Sequence, residues 1–544
     1  MVQKLDETHK KSVKADVIIL GCSLSGIVAA HKLKRRFGDS MDIVVLDLAG
    51  QTQSYSKYNV VFEDVEKDSQ DIITEPDFQG TAKQMIENVA RFYLAKYAKE
   101  FHVPLPDVII APERVRTRLT KLFQHQNGNT VECTNDFHEF DYLSVMERFE
   151  INQYQNMLDQ SMKDLFQRHK VDLQAERNRL RYYDQTCMES HIRGALLFPT
   201  SKEIMRSTVK LVCGAPANSV SVLFYLHQCY RTGSTKNHLD GNNTKFREKT
   251  LGHCRKRLQK KLQQSIADIT LSAKSIKEIR TYSDEQVILE TIKGETDYVC
   301  NLLAMALKPD QLDSIRVEDE LLAVNLANKI RAMIPGRARR FVIQYEDNFW
   351  TKLGYSGDIL SIRGPIIWAM EKPEMSTTGS LEKYPSLIGY LMVRDESDGD
   401  SKEAVIEQLI KLFGNNASSP VNYKETNIAD LFIPRCGDYV ALKELTGEGS
   451  PKHLEWGTLD IFADGDVAAA LEAGHTAYLN LLTSLRPQAQ TYEDRSTADW
   501  PRFLEDSPVQ RWYSHVNFAN GIHLLVYSAA AYYGLRVVRS YFRK

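Results

Sequence analysis

The chain has 544 residues, 43% of them hydrophobic and 26% charged, which supplies a large core and excludes a disordered chain. Its 69 basic residues nearly balance 71 acidic ones, so the net charge of −2 gives no whole-molecule field for gathering nucleic acid. The eight cysteines are scattered, with no C-x-x-C pair and no Cys/His spacing suited to zinc, which argues for a reducing compartment without a disulfide framework or structural metal.

Met1 to Lys14 is charged and lacks the apolar stretch of a secretory signal. Ala15 to Leu20 is a short apolar run that suits a buried parallel strand. A turn over Gly21 to Gly26 leads into a helix over Ile27 to Phe37, whose Lys34, Arg35 and Arg36 gather at the end favoured by the helix dipole. Asp42 to Asp47 reads as a second strand, so the chain opens as a βαβ unit of the dinucleotide-binding kind. A helix is expected over Ala82 to Phe101, and residues 140–235 read as mainly helical around Met157, Leu158, Met162, Leu165 and Phe166. The basic run Arg255-Lys256-Arg257 and the pair Lys260-Lys261 read as a solvated helix face. Phe341 to Tyr345 and Ser386 to Val393 read as strands, with turn-rich breaks at Ser397 to Ser401 and Asn415 to Pro420. No internal repeat is evident, and strands that return after long helical inserts imply two interleaved domains.

At the C-terminal end, Val516 to Leu535 carries no charge when His523 is neutral, and Arg536, Arg539, Arg543 and Lys544 follow. Twenty helical residues span about 30 Å, the thickness of a hydrocarbon core. Tyr527, Tyr532 and Tyr533 suit an interface, so the segment is expected to be a membrane anchor; the alternative is a helix packed on the body.

In a G-x-G-x-x-G turn the first glycine makes the bend, the second admits a pyrophosphate and the third lets helix and strand approach. Here Gly21 and Gly26 stand at the first and third positions and Ser23 at the second, while Asp47 closes the second strand where an acid would bond a ribose. The same pattern also arises in parallel α/β proteins that hold no ligand.

Val17 to Ala30 resembles the N-terminus of the flavin-dependent monoamine oxidase family. So do Phe349-Trp350 followed by Gly354-Tyr355-Ser356-Gly357, the strand Ser386 to Tyr390, and Phe462-Ala463-Asp464 with Ala470 to Gly474. The resemblance covers the chain from about Ala15 to Lys544. It implies an α/β FAD-linked amine oxidase fold. A Rossmann-like dinucleotide-binding domain (15–80, 205–300, 425–485) would interleave with a mixed α+β substrate domain (81–204, 301–424). A linker (486–515) and a C-terminal anchor helix (516–544) would follow.

Against that pattern many site residues are replaced. The family's Gly-Gly-Arg turn corresponds to Leu48 through Tyr55, which lacks the paired glycines and the arginine. Arg340 stands at the place of the family lysine, with Arg337 and Arg339 close by. Aligned without gaps, Gly437 falls at the flavin-linking cysteine and Asp438 at the first cage tyrosine, although Cys436 and Tyr439 are each one residue away. Asp466 falls nearest the second cage tyrosine, and Glu248 to Gly252 keeps one glycine of a further flavin-contacting stretch.

The resemblance therefore implies a retained scaffold with an altered site. FAD is the cofactor if there is one, held by Gly21, Ser23, Gly26 and Asp47, with Cys436 the one candidate for a covalent link and no catalytic residue assigned. The expected role is a non-catalytic protein anchored in the mitochondrial outer membrane, the alternative location being another intracellular membrane. Its body would face the cytosol, and it would act through protein partners and form a homodimer as the family's membrane enzymes do. The alternatives are an active FAD-dependent amine oxidase with altered specificity and a non-covalent flavin, and a soluble nucleotide-binding module.

Overall fold

A computed structural model describes residues 11–48, 89–103, 119–166, 173–232, 235–239, 257–273, 276–283, 286–292, 296–336, 339–372, 384–391, 401–427, 432–443, 453–455, 467–491 and 526–536. The first sheet is built on strand β1 (Lys11–Leu20), whose Val17 to Leu20 are fully buried as the apolar run requires. It pairs in parallel with β2 (Ile43–Leu48) on one side and β8 (Thr296–Met305) on the other, with Leu20 level with Leu46 and Met305. β5 (Thr270–Ala273) extends the β2 edge. β7 (Gln286–Thr291), β6 (Ile276–Ser283) and β9 (Arg316–Val317) extend the β8 edge, and β17 (Leu454–Glu455) adds in parallel to β8.

Helix α1 (Leu24–Phe37) returns over this sheet with Ile27, Val28, Ala29, Ala30 and Leu33 buried, and ends at Gly38. It packs against α13 (Val467–Leu485), and α2 (Val89–Glu100), the described part of the helix expected over Ala82 to Phe101, packs on α13 in turn.

The second sheet runs β15 (Asn422–Asn427), β11 (Arg339–Gln344), β14 (Ser386–Leu391), β13 (Ile366–Glu371), β12 (Tyr355–Ser361), β3 (Thr120–Gln124), β4 (Thr130–Cys133). Every pairing is antiparallel except β12 with β3. Its outer face carries Phe341 and Ile343, packed with Val405, Leu409 and Phe413 of α11 (Lys402–Phe413).

Between the sheets in sequence lies a helical block: α3 (Val145–Phe166), α4 (Leu173–Gln185), α5 (Met188–Ala195), α6 (Pro199–Cys213) and α7 (Val222–Thr232). Buried Glu150 accepts from the backbone of Leu197 (2.5 Å) and Phe198 (3.2 Å), so a carboxylate meets the positive end of α6, where Pro199 opens the helix. The chain thus supplies the first sheet from residues 11–48, 270–317 and 454–455, and the second from 120–133, 339–391 and 422–427. The shorter elements are α8 (257–265), α9 (Val324–Arg331), the pair β10 (Ile334–Pro335) with β16 (Phe432–Ile433), α10 (Phe349–Lys352), α12 (Tyr439–Lys443) and α14 (526–536).

Candidate functional site

Gly21, Ser23, Gly26 and Asp47 come together at the ends of β1 and β2. Gly21 has φ 109°, a left-handed conformation that favours glycine, and its N–H donates to Leu46 O at 2.9 Å. A Cβ on Gly26 would stand 2.7 Å from Ala306 Cβ and 3.1 Å from Gly21 O, so only glycine lets α1 approach the strand end this closely. Ser23 is the N-cap of α1, with extended backbone and its hydroxyl accepting from Gly26 N–H at 3.2 Å. Its Oγ is also 3.1 Å from Ser25 Oγ. The serine at the motif's middle position therefore satisfies one of the orphan donors that would otherwise face an anion.

Burial pushes the Asp47 carboxyl above the usual carboxylate range, and a hydrogen bond with the Cys22 thiol pulls it partly back. The Cys22 thiol is itself pushed up to about 12, by burial first and then by the Asp47 charge and hydrogen bond. Asp47 Oδ1 is buried and has no hydrogen-bond partner among the described residues. A ribose hydroxyl is a donor that would satisfy it, so the nucleoside end of a dinucleotide fits this cradle. Cys22 and Ala306 complete the cradle and were not singled out from the sequence. Cys22 lies between the motif's first two positions, whereas Ala306 is brought in by the β1–β8 pairing and leaves no local signal.

Arg340 lies on the other sheet. Strand alternation puts Phe341 and Ile343 on the α11 side, so Arg340 and Val342 share the opposite, inner face. There Arg340 is level with Thr426 of β15 and Tyr390 of β14, and Tyr390 is level with Trp368 of β13. The Trp368 and Tyr390 rings are 6.0 Å apart, both are buried, and the Arg340 Nε is shielded from solvent. Arg339 points the other way and pairs with Glu425 at 3.0 Å.

The Phe349-Trp350 pair belongs to the outer core, with Tyr345 4.9 Å from Phe349 and 6.1 Å from Trp350 between ring centroids.

Cys436 sits in the loop before α12, tied to the end of α4. Gly437 N–H donates to Asp184 O at 2.8 Å, and the Asp184 carboxylate accepts from the N–H groups of Tyr439 (3.3 Å) and Val440 (3.0 Å). Burial, followed by the neighbouring Cys187 and Asp184, pushes the Cys436 thiol up to about 11, the reverse of an activated nucleophile. Gly437 has φ 92°, which disfavours a cysteine there. The Tyr439 hydroxyl is 2.8 Å from His227 Nδ1, with its ring 5.4 Å from Phe224, and Asp438 pairs with Lys329. The whole loop is thus committed to the helical block and α9. The Gly50 to Tyr55 stretch, Arg337, Glu248 to Gly252 and Phe462 to Asp466 lie outside the described residues.

Residues 215–437 match the family model for flavin containing amine oxidoreductases. No curated protein matches the sequence. Among solved structures, putrescine oxidase bound to putrescine aligns at 14% identity with a TM-score of 0.62, covering 88% of this chain and 100% of its own. Cyclohexylamine oxidase from Brevibacterium oxydans IH-35A aligns at 15% with a TM-score of 0.56, covering 85% and 98%. The two interleaved sheets are therefore the FAD-dependent amine oxidase fold, and residues 215–437 carry the sequence pattern of flavin containing amine oxidoreductases.

Proposed function

We propose that this chain is an amine-oxidase-fold protein that keeps a dinucleotide cradle, does not oxidise amines, and is held at a membrane by its C-terminal segment. The observation that carries the first part is Arg340. A guanidinium does not lose its proton, and on the inner face beside Tyr390 and Trp368 it sets a fixed positive charge where the family resemblance places a lysine. Like charge disfavours a protonated amine there, and low dielectric strengthens the repulsion. Bound FAD would supply the hydride acceptor for amine oxidation. This chain's own residues would hold its ribose at Asp47 and its pyrophosphate at the start of α1, with Ser23 already using one donor there. Cys436, with its thiol pushed up, is not suited to a covalent link.

The membrane part is supported by α14, where Val526, Tyr527, Tyr532, Tyr533 and Leu535 are all more than half exposed. No helix among the described residues is long and apolar enough to cross a membrane; α14 is one piece of the uncharged Val516 to Leu535 stretch. By the family resemblance the membrane is the outer mitochondrial one, with the body in the cytosol and protein partners, including a second copy, as its targets. A second reading, an active oxidase with non-covalent flavin, is favoured by the open Asp47 oxygen.

Visible absorbance of the purified protein, incubated with FAD and then with primary amines and polyamines, separates the two. The expected result is no amine-driven bleaching of any flavin band, and release of all flavin on denaturation. Bleaching by an amine in the unaltered protein would sink the non-catalytic reading, and colour retained by denatured protein would sink the assignment of Cys436.

A further inference from the structure

Three helices converge at one corner of the first sheet. His31 of α1 joins the other two: its Nδ1 is 2.8 Å from Ser265 Oγ of α8 and its Nε2 is 2.9 Å from Glu100 Oε1 of α2. Lys34 donates to Ser265 O at 2.8 Å, and Lys261 of α8 donates to Phe101 O, just past α2, at 2.5 Å. The turn that leaves α13 docks on the same spot, where the Arg36 guanidinium donates to Ala489 O and Arg486 lies 5.4 Å over the Phe37 ring.

The charge at this corner is unbalanced. Glu100 pairs with Lys32 and Arg35, and Asp268 with Lys34. Arg36, Lys99, Lys261 and Arg486 are exposed and have no acidic partner among the described residues. Exposed Asp39 and Asp42, after α1, offset only part of this. Helix dipoles explain cations at the ends of α1 and α2. They do not explain why α8 and the exit of α13 bring further cations to the same place.

We infer that this basic corner rests on a membrane surface of anionic lipid. Arg486 and the 487–489 turn belong to the last described stretch before α14, whose apolar side chains are exposed. A bilayer that takes up the tail is tethered to the body through the chain that follows residue 491, and the four unmatched cations of the corner are complementary to anionic headgroups. Single-stranded nucleic acid fits less well, because it needs open aromatic faces and the Phe37 ring is covered by Arg486. The orientation of this argument rests on the membrane reading above, while the charge of the corner does not.

The test uses the full chain, co-sedimented with vesicles of phosphatidylcholine alone and of phosphatidylcholine doped with phosphatidylserine. Phosphatidylserine should raise binding on the order of tenfold, and salt should remove the gain. The R36E/K99E/K261E variant should keep phosphatidylcholine binding and lose the gain. R36Q/K99Q/K261Q, with circular dichroism as a folding control, should lose most of it. An unaltered phosphatidylserine preference in both variants overturns the inference, as does tighter binding to a single-stranded RNA than to the doped vesicles. A V526D/L535D variant tests the tail separately. If it binds phosphatidylcholine as well as the unaltered chain does while the charge variants lose the gain, the tail reading fails and the basic corner stands.

Discussion

Burial alone would push the Glu100 carboxyl up, but hydrogen bonds from His31 and Lys32, together with their charges, outweigh it and hold the group well below the usual carboxylate range. A depressed folded value means stabilisation that is present above the unfolded carboxyl range of about 4.3 and is lost as pH falls through the folded value. Glu100→Gln should therefore cost about 1–3 kcal/mol near neutrality and flatten the acid limb of the stability curve, as read from urea midpoints across pH. An acid limb unchanged by the substitution would show that the cluster contributes nothing net. At this scale the sequence was legible where the motif is local: Gly21, Gly26 and Asp47 could be placed because strand, turn, helix and strand follow one another directly. Arg340 could be placed just before an expected strand, Phe341 to Tyr345, and the strand in fact begins at Arg339; its neighbours could not be read, since Tyr390 and Trp368 arrive from other strands. Cys436 and Gly437 could not be ranked by counting, because the decision lies in the backbone conformation of Gly437 and in the hold of Asp184 on the loop.

Between elements, α1 and α13 approach closely. A Cβ on Gly474 would meet Ser25 O at 2.5 Å and Val28 Cβ at 2.7 Å, so Gly474→Ala should force the helices apart and cost about 1–3 kcal/mol in thermal unfolding. A neutral result would mean that the two helices slide past each other freely. At the start of α1, Ser23→Ala removes the cap and should cost about 1 kcal/mol, while Ser23→Gly should cost only a few tenths. Equal losses for alanine and glycine would remove the cap as the explanation. Elements of strong pattern were legible in the sequence: β1, α1, β2, β11 and β14 lie where hydrophobic runs and periodicity put them. The Phe349-Trp350 pair pointed to the amine oxidase fold that the structure has, yet its place is to fill the outer core with Tyr345. The resemblance there rests on packing rather than chemistry.

For the molecule as a whole, interleaving was readable from strands that resume after helical inserts, but the distribution of the helical block was not. Apolar spacing on α6 and α7 shows that they are buried, not on which partner. The packing puts α7 against α2, α3 and α4, and α6 against α3, α5 and β13. The same interleaving spreads the family's flavin-side residues over distant stretches, so substitutions at Arg340 and the 436–439 loop leave the βαβ cradle intact. Changes at Arg340 or in the loop can therefore occur without disturbing the cradle, because the second sheet and the helical block carry the former and the first sheet the latter.

The central position of β1 also bears on synthesis. As the chain leaves the ribosome, β1 can pair with β2 early, but its other edge stays open until β8 is complete at Met305, and α1 lacks its cover until α13 emerges. The nascent βαβ unit therefore spends most of translation with an apolar strand edge and a helix face exposed, a natural client for a chaperone, and prematurely terminated chains should be cleared rather than accumulate.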